Sequence, residues 1–361
     1  MELSPFPHHG PLEPGRVPPR AELVDDLVER VTERRVTALL GPRRYGKTTA
    51  LRAVAARLGD AVTTVWLDLY ELSSWADLAI RLDGALDVAG ASGAAPLREL
   101  AAGFELRLGV LGVEFRRPAA QRPDPMVMVR TQFELLVEAS GRDEVVLIVD
   151  EFSGIVGVDG ASALMRTALQ HEFQRIGLLF AGSEPSVMEM LFTDRAEPFY
   201  AQADLVEARP LDTAAVERLL RDGFSRTDRR SGGIAGRLHA ATAGHPHRTM
   251  QLADAIWRRV PSGGEASIAD FVAALDDVVA ASSSGMERLF SSLPSGEQVV
   301  LRLVASGDGI FGAMASSLGL SNGGAQHARA SLVNRGHLVR TDGILRVVDP
   351  ILSEWLRRTF G

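Results

Sequence analysis

The chain has 361 residues, 46% hydrophobic and 24% charged, a balance that predicts a soluble globular protein of two or three domains. It has no cysteine, which excludes disulfides and thiolate metal sites and suits a cytoplasmic setting, and no apolar run near the roughly 20 residues that a membrane span needs. The net charge of −7 excludes a polycation that coats nucleic acid indiscriminately, so any DNA contact must come from a local patch.

Residues 1–20 hold six prolines and no apolar stretch after a basic one. They predict an extended arm and no secretory leader. Glu22–Thr32 has helical periodicity through Leu23, Leu27, Val28 and Val31. Val36–Leu40 is a short apolar run, expected as a buried strand, and Thr48–Leu58 is expected as a helix. Between them lies Gly41-Pro42-Arg43-Arg44-Tyr45-Gly46-Lys47-Thr48, which fits G-x-x-x-x-G-K-[ST] at every fixed position. Lys47 is the one lysine in the chain; every other basic residue is arginine. An ammonium on a flexible stem reaches the β- and γ-phosphates of a nucleotide where a planar guanidinium would not fit. Backbone N–H groups from Gly41 to Thr49 would cradle phosphate oxygens, and the Thr48 hydroxyl would hold Mg²⁺. The expected ligands are therefore ATP or ADP with Mg²⁺.

Val62–Leu69 predicts a second strand. Residues 74–117 read as alanine- and leucine-rich helical material, and Gln121–Pro125 as a proline-marked loop; the sequence assigns no role to 74–125. A helix is expected over Met126–Ala139, ended by Gly141. Val145–Val149 is an unbroken aliphatic run, as in a central parallel strand, and ends in Asp150-Glu151. Asp150 would support Mg²⁺, and Glu151 would act as general base on the attacking water. A helix over Ser162–Arg175, a strand over Ile176–Ala181, a short helix over Ser186–Phe192 and a last strand over Asp204–Ala208 complete the α/β alternation. Ser183 or Glu184, at the tip of the Ile176–Ala181 strand, would face the γ-phosphate, or else merely cap the next helix. Arg195 would serve as a catalytic arginine toward a neighbouring subunit, or else is a solvated surface residue.

From Leu211 the pattern turns helical: Thr213–Phe224, Ile234–Ala243, His247–Val260 and Ser267–Val279. Gly244-His245-Pro246-His247-Arg248 marks a helix start, with Pro246 expected near the base and His247 or Arg248 near the phosphates. Ala281–Gly285 is the expected linker. Helices over Glu297–Ala305, Ile310–Leu318 and Gly324–Arg335 precede a hairpin turning at Thr341-Asp342-Gly343, and a closing helix follows over Asp349–Phe360. Three helices and a two-stranded wing predict a winged helix. It would meet double-stranded DNA through Arg329, Arg335, Arg340 and Arg346, with His327 on the same helix, or would serve a protein partner or self-assembly instead.

Together these motifs resemble the archaeal-type ATPases of the STAND branch of P-loop NTPases, relatives of the AAA+ origin-recognition ATPases. The segments that carry the likeness are Gly41–Arg44 with Gly46–Thr48, Val149–Phe152, Ala181–Ser183, Gly244–Pro246, Asp349-Pro350 and Trp355–Arg357. The resemblance implies ATP binding, slow hydrolysis and switch-like behaviour. At Phe199-Tyr200-Ala201-Gln202 the chain departs from it, because Ala201-Gln202 stands where the family has Gly-Arg; Arg195 or Arg209 would have to substitute. The expected architecture is thus an α/β P-loop NTPase with a doubly wound parallel sheet over 21–210, a small helical lid over 211–280 and a winged helix over 286–361. The expected function is an ATP-hydrolysing switch that controls the winged helix for DNA binding. The alternative is an ATP-gated protein-interaction, signalling or defence scaffold without DNA.

Overall fold

The computed structural model describes residues 2–10, 12, 20–91, 124–341 and 343–361. By contact density the chain divides into two units, one of Glu22–Gly41 and Lys47–Ala208, the other of Met1–Ala21, Pro42–Gly46 and Arg209–Gly361.

The first unit is built on a five-stranded sheet. Its strands are β1 (Thr37–Leu40), β2 (Thr63–Asp68), β3 (Val145–Asp150), β4 (Ile176–Gly182) and β5 (Asp204–Glu207), ordered β2-β3-β4-β1-β5 and all parallel. β3 and β4 are buried at every position, as their apolar runs require of central strands. The helices are α1 (Ala21–Thr32), α2 (Lys47–Leu58), α3 (Trp75–Ala91), α4 (Pro125–Ser140), α5 (Ala161–Leu169) and α6 (Pro185–Thr193). Proline opens both α4 and α6, where its missing N–H costs nothing. The register pairs Leu40 with Gly182 and Val149 with Phe180, so the chain leaves β1, β3 and β4 along the same edge of the sheet. Ligands bind at that carboxyl edge in sheets of this kind.

Two expectations change here. The helix expected over Ser162–Arg175 stops at Leu169. Its buried stripe of Ala161, Met165 and Leu169 ends there, and residues 170–175 tighten into turns that deliver Ile176 to β4, with Ile176 N–H donating to Glu172 O at 2.8 Å. Of the helical stretch expected over 74–117, residues 75–91 are a helix; residues 92–117, and most of the loop expected at Gln121–Pro125, lie outside the described residues.

The second unit contains α7 (Thr213–Ser225), α8 (Ala235–Thr242), α9 (Pro246–Trp257), α10 (Ile268–Ser291), α11 (Ser295–Ser306), α12 (Ala313–Ser317), α13 (Asn322–Asn334), the antiparallel pair β6 (Leu338–Thr341) and β7 (Ile344–Val347), and α14 (Pro350–Phe360). The linker expected at Ala281–Gly285 is instead the interior of α10. Val278 and Val279 before it and Met286 and Phe290 after it keep one face buried, and Ser283 Oγ donates back to Val279 O at 2.8 Å. Small residues without proline extend a helix whose two ends are both packed. One continuous core runs from Ala215 through Phe290 to Leu356. The helix expected over Ile310–Leu318 shrinks to the five residues of α12, because Gly312 at its N-cap has φ 102°.

Candidate functional site

The phosphate-loop segment follows β1 and ends in the first turn of α2. Gly46 has φ +79°, a left-handed conformation that favours glycine. Lys47 is buried, and its Nζ donates to Gly41 O at 2.7 Å. The first turn of α2 contains no acid, so the positive end of the helix dipole meets no carboxylate of its own turn.

Across the sheet, Thr48 Oγ1 donates to Asp150 Oδ2 at 2.8 Å, and Glu151 N–H donates to Asp150 Oδ1 at 3.0 Å. Burial pushes the Asp150 carboxyl up to about 6, against the Thr48 hydrogen bond; the nearby charges of Glu151 and Asp68 add to the rise. Asp68 pairs with Asp150 in register at the end of β2. The sequence reading did not single it out, although it ends the run VTTVWLD. A buried carboxylate short of positive charge, with a hydroxyl at hydrogen-bond distance, is an oxygen donor set that fits Mg²⁺.

Glu151 Oε2 accepts two hydrogen bonds from Ser183, from Oγ at 2.7 Å and from N–H at 3.0 Å. Ser183 is buried at the tip of β4. Glu151 adopts φ 50° and ψ 43°, a left-handed conformation that costs a non-glycine residue about 1–3 kcal/mol and recurs at working sites. Behind it the rings of Phe152, Phe180, Phe192 and Phe199 pack at centroid distances of 4.5–5.9 Å. This cluster ties the turn after β3 to β4 and fixes where Glu151 and Ser183 meet.

In the second unit the loop residue Tyr45 is buried, with its ring edge-on to His245, centroids 4.8 Å apart. His245 caps α9, accepting from Arg248 N–H, and Pro246 occupies the first helical turn. Burial lowers both imidazoles, His247 to about 3. Arg248 is buried against Asp349, Nε to Oδ1 at 2.9 Å with a second guanidinium contact to Oδ2. Arg20 was not singled out either: its Nη2 donates to Arg209 O at 2.7 Å, and burial brings its pKa down to about 10. No sequence pattern in the arm marks it.

The remaining candidates are dispersed. Arg195 is exposed in the turn after α6, with no ion pair among the described residues. Arg335 is paired with the buried Glu297 at 2.8 Å. The β6–β7 register pairs Arg340 with Leu345 and Arg346 with Val339, so the two arginines project from opposite faces of the hairpin. Arg340 shares the face of buried Leu338, and Arg346 the face of exposed Ile344. The four arginines expected to meet DNA together are not brought onto one surface.

Residues 30–191 match the AAA domain family. No curated protein sequence matches. Among solved structures, the Walker-type ATPase of Pyrococcus abyssi is similar with a TM-score of 0.72 at 18% identity, covering 98% of this chain and 99% of that one. The ORC2 protein of Aeropyrum pernix, in ADPNP and ADP complexes, is similar with a TM-score of 0.56 at 13% identity, covering 98% and 97%. The ORC1 protein of the same organism in complex with DNA gives 0.50 at 12%, covering 98% and 94%. At these identities the likeness is one of fold. The AAA match spans β1 to α6 and includes Lys47, Thr48, Asp150, Glu151 and Ser183.

Proposed function

We propose that the chain is an ATP-binding and ATP-hydrolysing switch of the AAA+/STAND kind. The observation that carries this reading is the 2.8 Å contact between Thr48 and Asp150, residues 102 positions apart, beside a buried lysine in a glycine loop. Lys47 neutralises the β- and γ-phosphates, and the N-terminus of α2 binds their oxygens. Thr48 and Asp150 hold Mg²⁺, which supplies charge neutralisation to the phosphates when bound. Glu151 takes the proton of the attacking water, and Ser183 aims that carboxylate.

The module from α11 to β7 is read as a winged helix. ORC1 of Aeropyrum pernix was solved with DNA, and this favours DNA as the output. The pairing of Arg335 with Glu297 and the opposed faces of Arg340 and Arg346 favour the second reading, a protein partner or self-assembly. The test is ATP turnover by wild type and Glu151→Gln, with and without duplex DNA at low and moderate salt. Turnover abolished by Glu151→Gln supports the ATPase. Stimulation by DNA that moderate salt removes selects the DNA output; turnover indifferent to DNA selects the protein output.

A further inference from the structure

The helical unit contains a pocket that the phosphate site does not use, and the chain's own arm fills it. Phe6 is fully buried and packs on Phe224 with centroids 5.5 Å apart. The floor is Gly223, inside α7: a Cβ there would meet Phe6 Cζ at 2.3 Å. Glycine inside a helix costs about 1 kcal/mol relative to alanine, and here its missing side chain is the space that the ring occupies. Pro5 and Pro7 flank Phe6 and stiffen the arm. Glu2 pairs with Arg229 at 2.8 Å, and Arg229 lies over the Trp257 ring, 4.6 Å from its centroid.

Residues 2–10 form no helix or strand; their anchors include the Phe6 ring, the half-exposed Glu2–Arg229 pair and His8, whose Nδ1 lies 4.0 Å from Asp254 Oδ2. At their far end the arm's ring contacts reach the phosphate loop. His8 packs on His9 at 4.2 Å and on His247 at 6.1 Å, His247 on His245 at 6.4 Å, and His245 on Tyr45 at 4.8 Å. Rings thus run continuously from the arm to the loop. His247 Nδ1 is buried without a hydrogen-bond partner among the described residues.

We propose that the pocket at Gly223 and Phe224 is a docking site for the proline-flanked aromatic of the N-terminal arm, and that docking is linked to nucleotide at the phosphate loop through His8, His247, His245 and Tyr45. The linkage rests on the ATP reading; the pocket does not. Linkage is reciprocal: nucleotide shifts arm docking by the same factor by which docking shifts nucleotide affinity.

The chain has no cysteine, so Leu3→Cys, at a position 84% exposed, gives one labelling site in the full-length protein. The dye's anisotropy is followed as ADP or a non-hydrolysable ATP analogue is added, in that variant and in the same chain with Phe6→Ala or Gly223→Val. Both added changes are expected to drop the anisotropy to that of a free arm and to shift nucleotide affinity in the same direction, by about 5-fold or more, the usual scale of such coupling. Nucleotide is expected to change the anisotropy of the Leu3→Cys chain, a readout that survives if either second variant misfolds. Nucleotide that binds without moving the anisotropy would overturn the linkage. Anisotropy unmoved by Phe6→Ala in a folded chain would overturn the pocket. Absence of nucleotide binding in the wild type would sink the ATP reading, and the linkage with it.

Discussion

Glu151 and Ser183 meet across the ends of two neighbouring strands, the serine donating both Oγ–H and N–H to one carboxylate oxygen at 2.7 and 3.0 Å. Two donors fix the orientation of the carboxylate proposed as general base, and removing the hydroxyl leaves only the backbone donor. Ser183→Ala is expected to lower kcat about 10-fold with KM little changed, and Ser183→Thr to restore most of it. Glu151→Gln is expected to lower kcat by about 10²–10⁴, the usual contribution of a positioned base, while nucleotide still binds. Steady-state ATPase assays read all three; equal kcat in Ser183→Ala and wild type removes the serine from the mechanism.

Lys47 is buried with its ammonium against Gly41 O, inside a loop whose other cations, Arg43 and Arg44, are exposed. Charge-assisted hydrogen bonds contribute about 1.5–3 kcal/mol each, so Lys47→Ala is expected to weaken ATP binding by about 100-fold. Titration calorimetry checks this, and an unchanged affinity would end the phosphate-loop reading. Lys47→Arg is expected to bind nearly as poorly, since a planar guanidinium does not fit the position.

The Asp150 carboxyl gives a pH dependence of definite sign. In the folded chain it releases its proton near 6, in the unfolded chain at the usual 3.8. The native state therefore binds the extra proton between those values, and this group's contribution to stability falls as pH rises through them. Between pH 5 and 7.5 the loss is about 1.5 kcal/mol, and Asp150→Asn is expected to abolish it. Denaturant unfolding of both proteins at the two pH values, without nucleotide or Mg²⁺, measures the difference. An Asp150→Asn advantage that is the same at both would place the carboxyl at its ordinary value. Mg²⁺ needs the ionised form, so Mg²⁺-dependent nucleotide binding is expected to weaken below about pH 6.

The strands were legible because their signal is local: Val145–Val149 and Ile176–Ala181 contain no polar side chain, which only a central strand or a buried helix tolerates. The Gly41–Thr48 segment and Asp150-Glu151 stand out in the sequence because phosphate chemistry needs fixed residues at fixed spacing, and the structure brings Thr48 and Asp150 to 2.8 Å. The Ser183–Glu151 contact was not, since it depends on β3 and β4 being neighbours, which sheet order decides. Ala281–Gly285 misled because serine and glycine suit a linker by propensity, whereas Met286 and Phe290 keep the helix in the core. The opposed faces of Arg340 and Arg346 follow from a register that residue types alone do not give. Phe6 carries no periodicity, and the space that it fills is made by Gly223, where a Cβ would meet its ring at 2.3 Å.

Arg248 and Asp349, 9% and 33% exposed, form an ion pair that joins the start of α9 to the cap of α14. Burial pushes the Asp349 carboxyl up, but the Arg248 hydrogen bonds and charge outweigh it and hold the group below its usual value. Arg248→Ala strands that carboxylate and is expected to cost about 2–4 kcal/mol, less than the fully buried limit because Asp349 is a third exposed. Asp349→Asn keeps an oxygen for the Ile351 and Leu352 N–H groups, so its cost is expected to be smaller. A double-mutant cycle by thermal or denaturant unfolding isolates the pair, and a coupling energy near zero would show that each residue stabilises independently. A phosphate role for Arg248 requires its guanidinium to leave Asp349. If that exchange occurs, Asp349→Asn tightens ATP binding and Arg248→Ala weakens it. Equal affinity in both variants and wild type would leave Arg248 as the clasp between α9 and α14, with no part in nucleotide recognition.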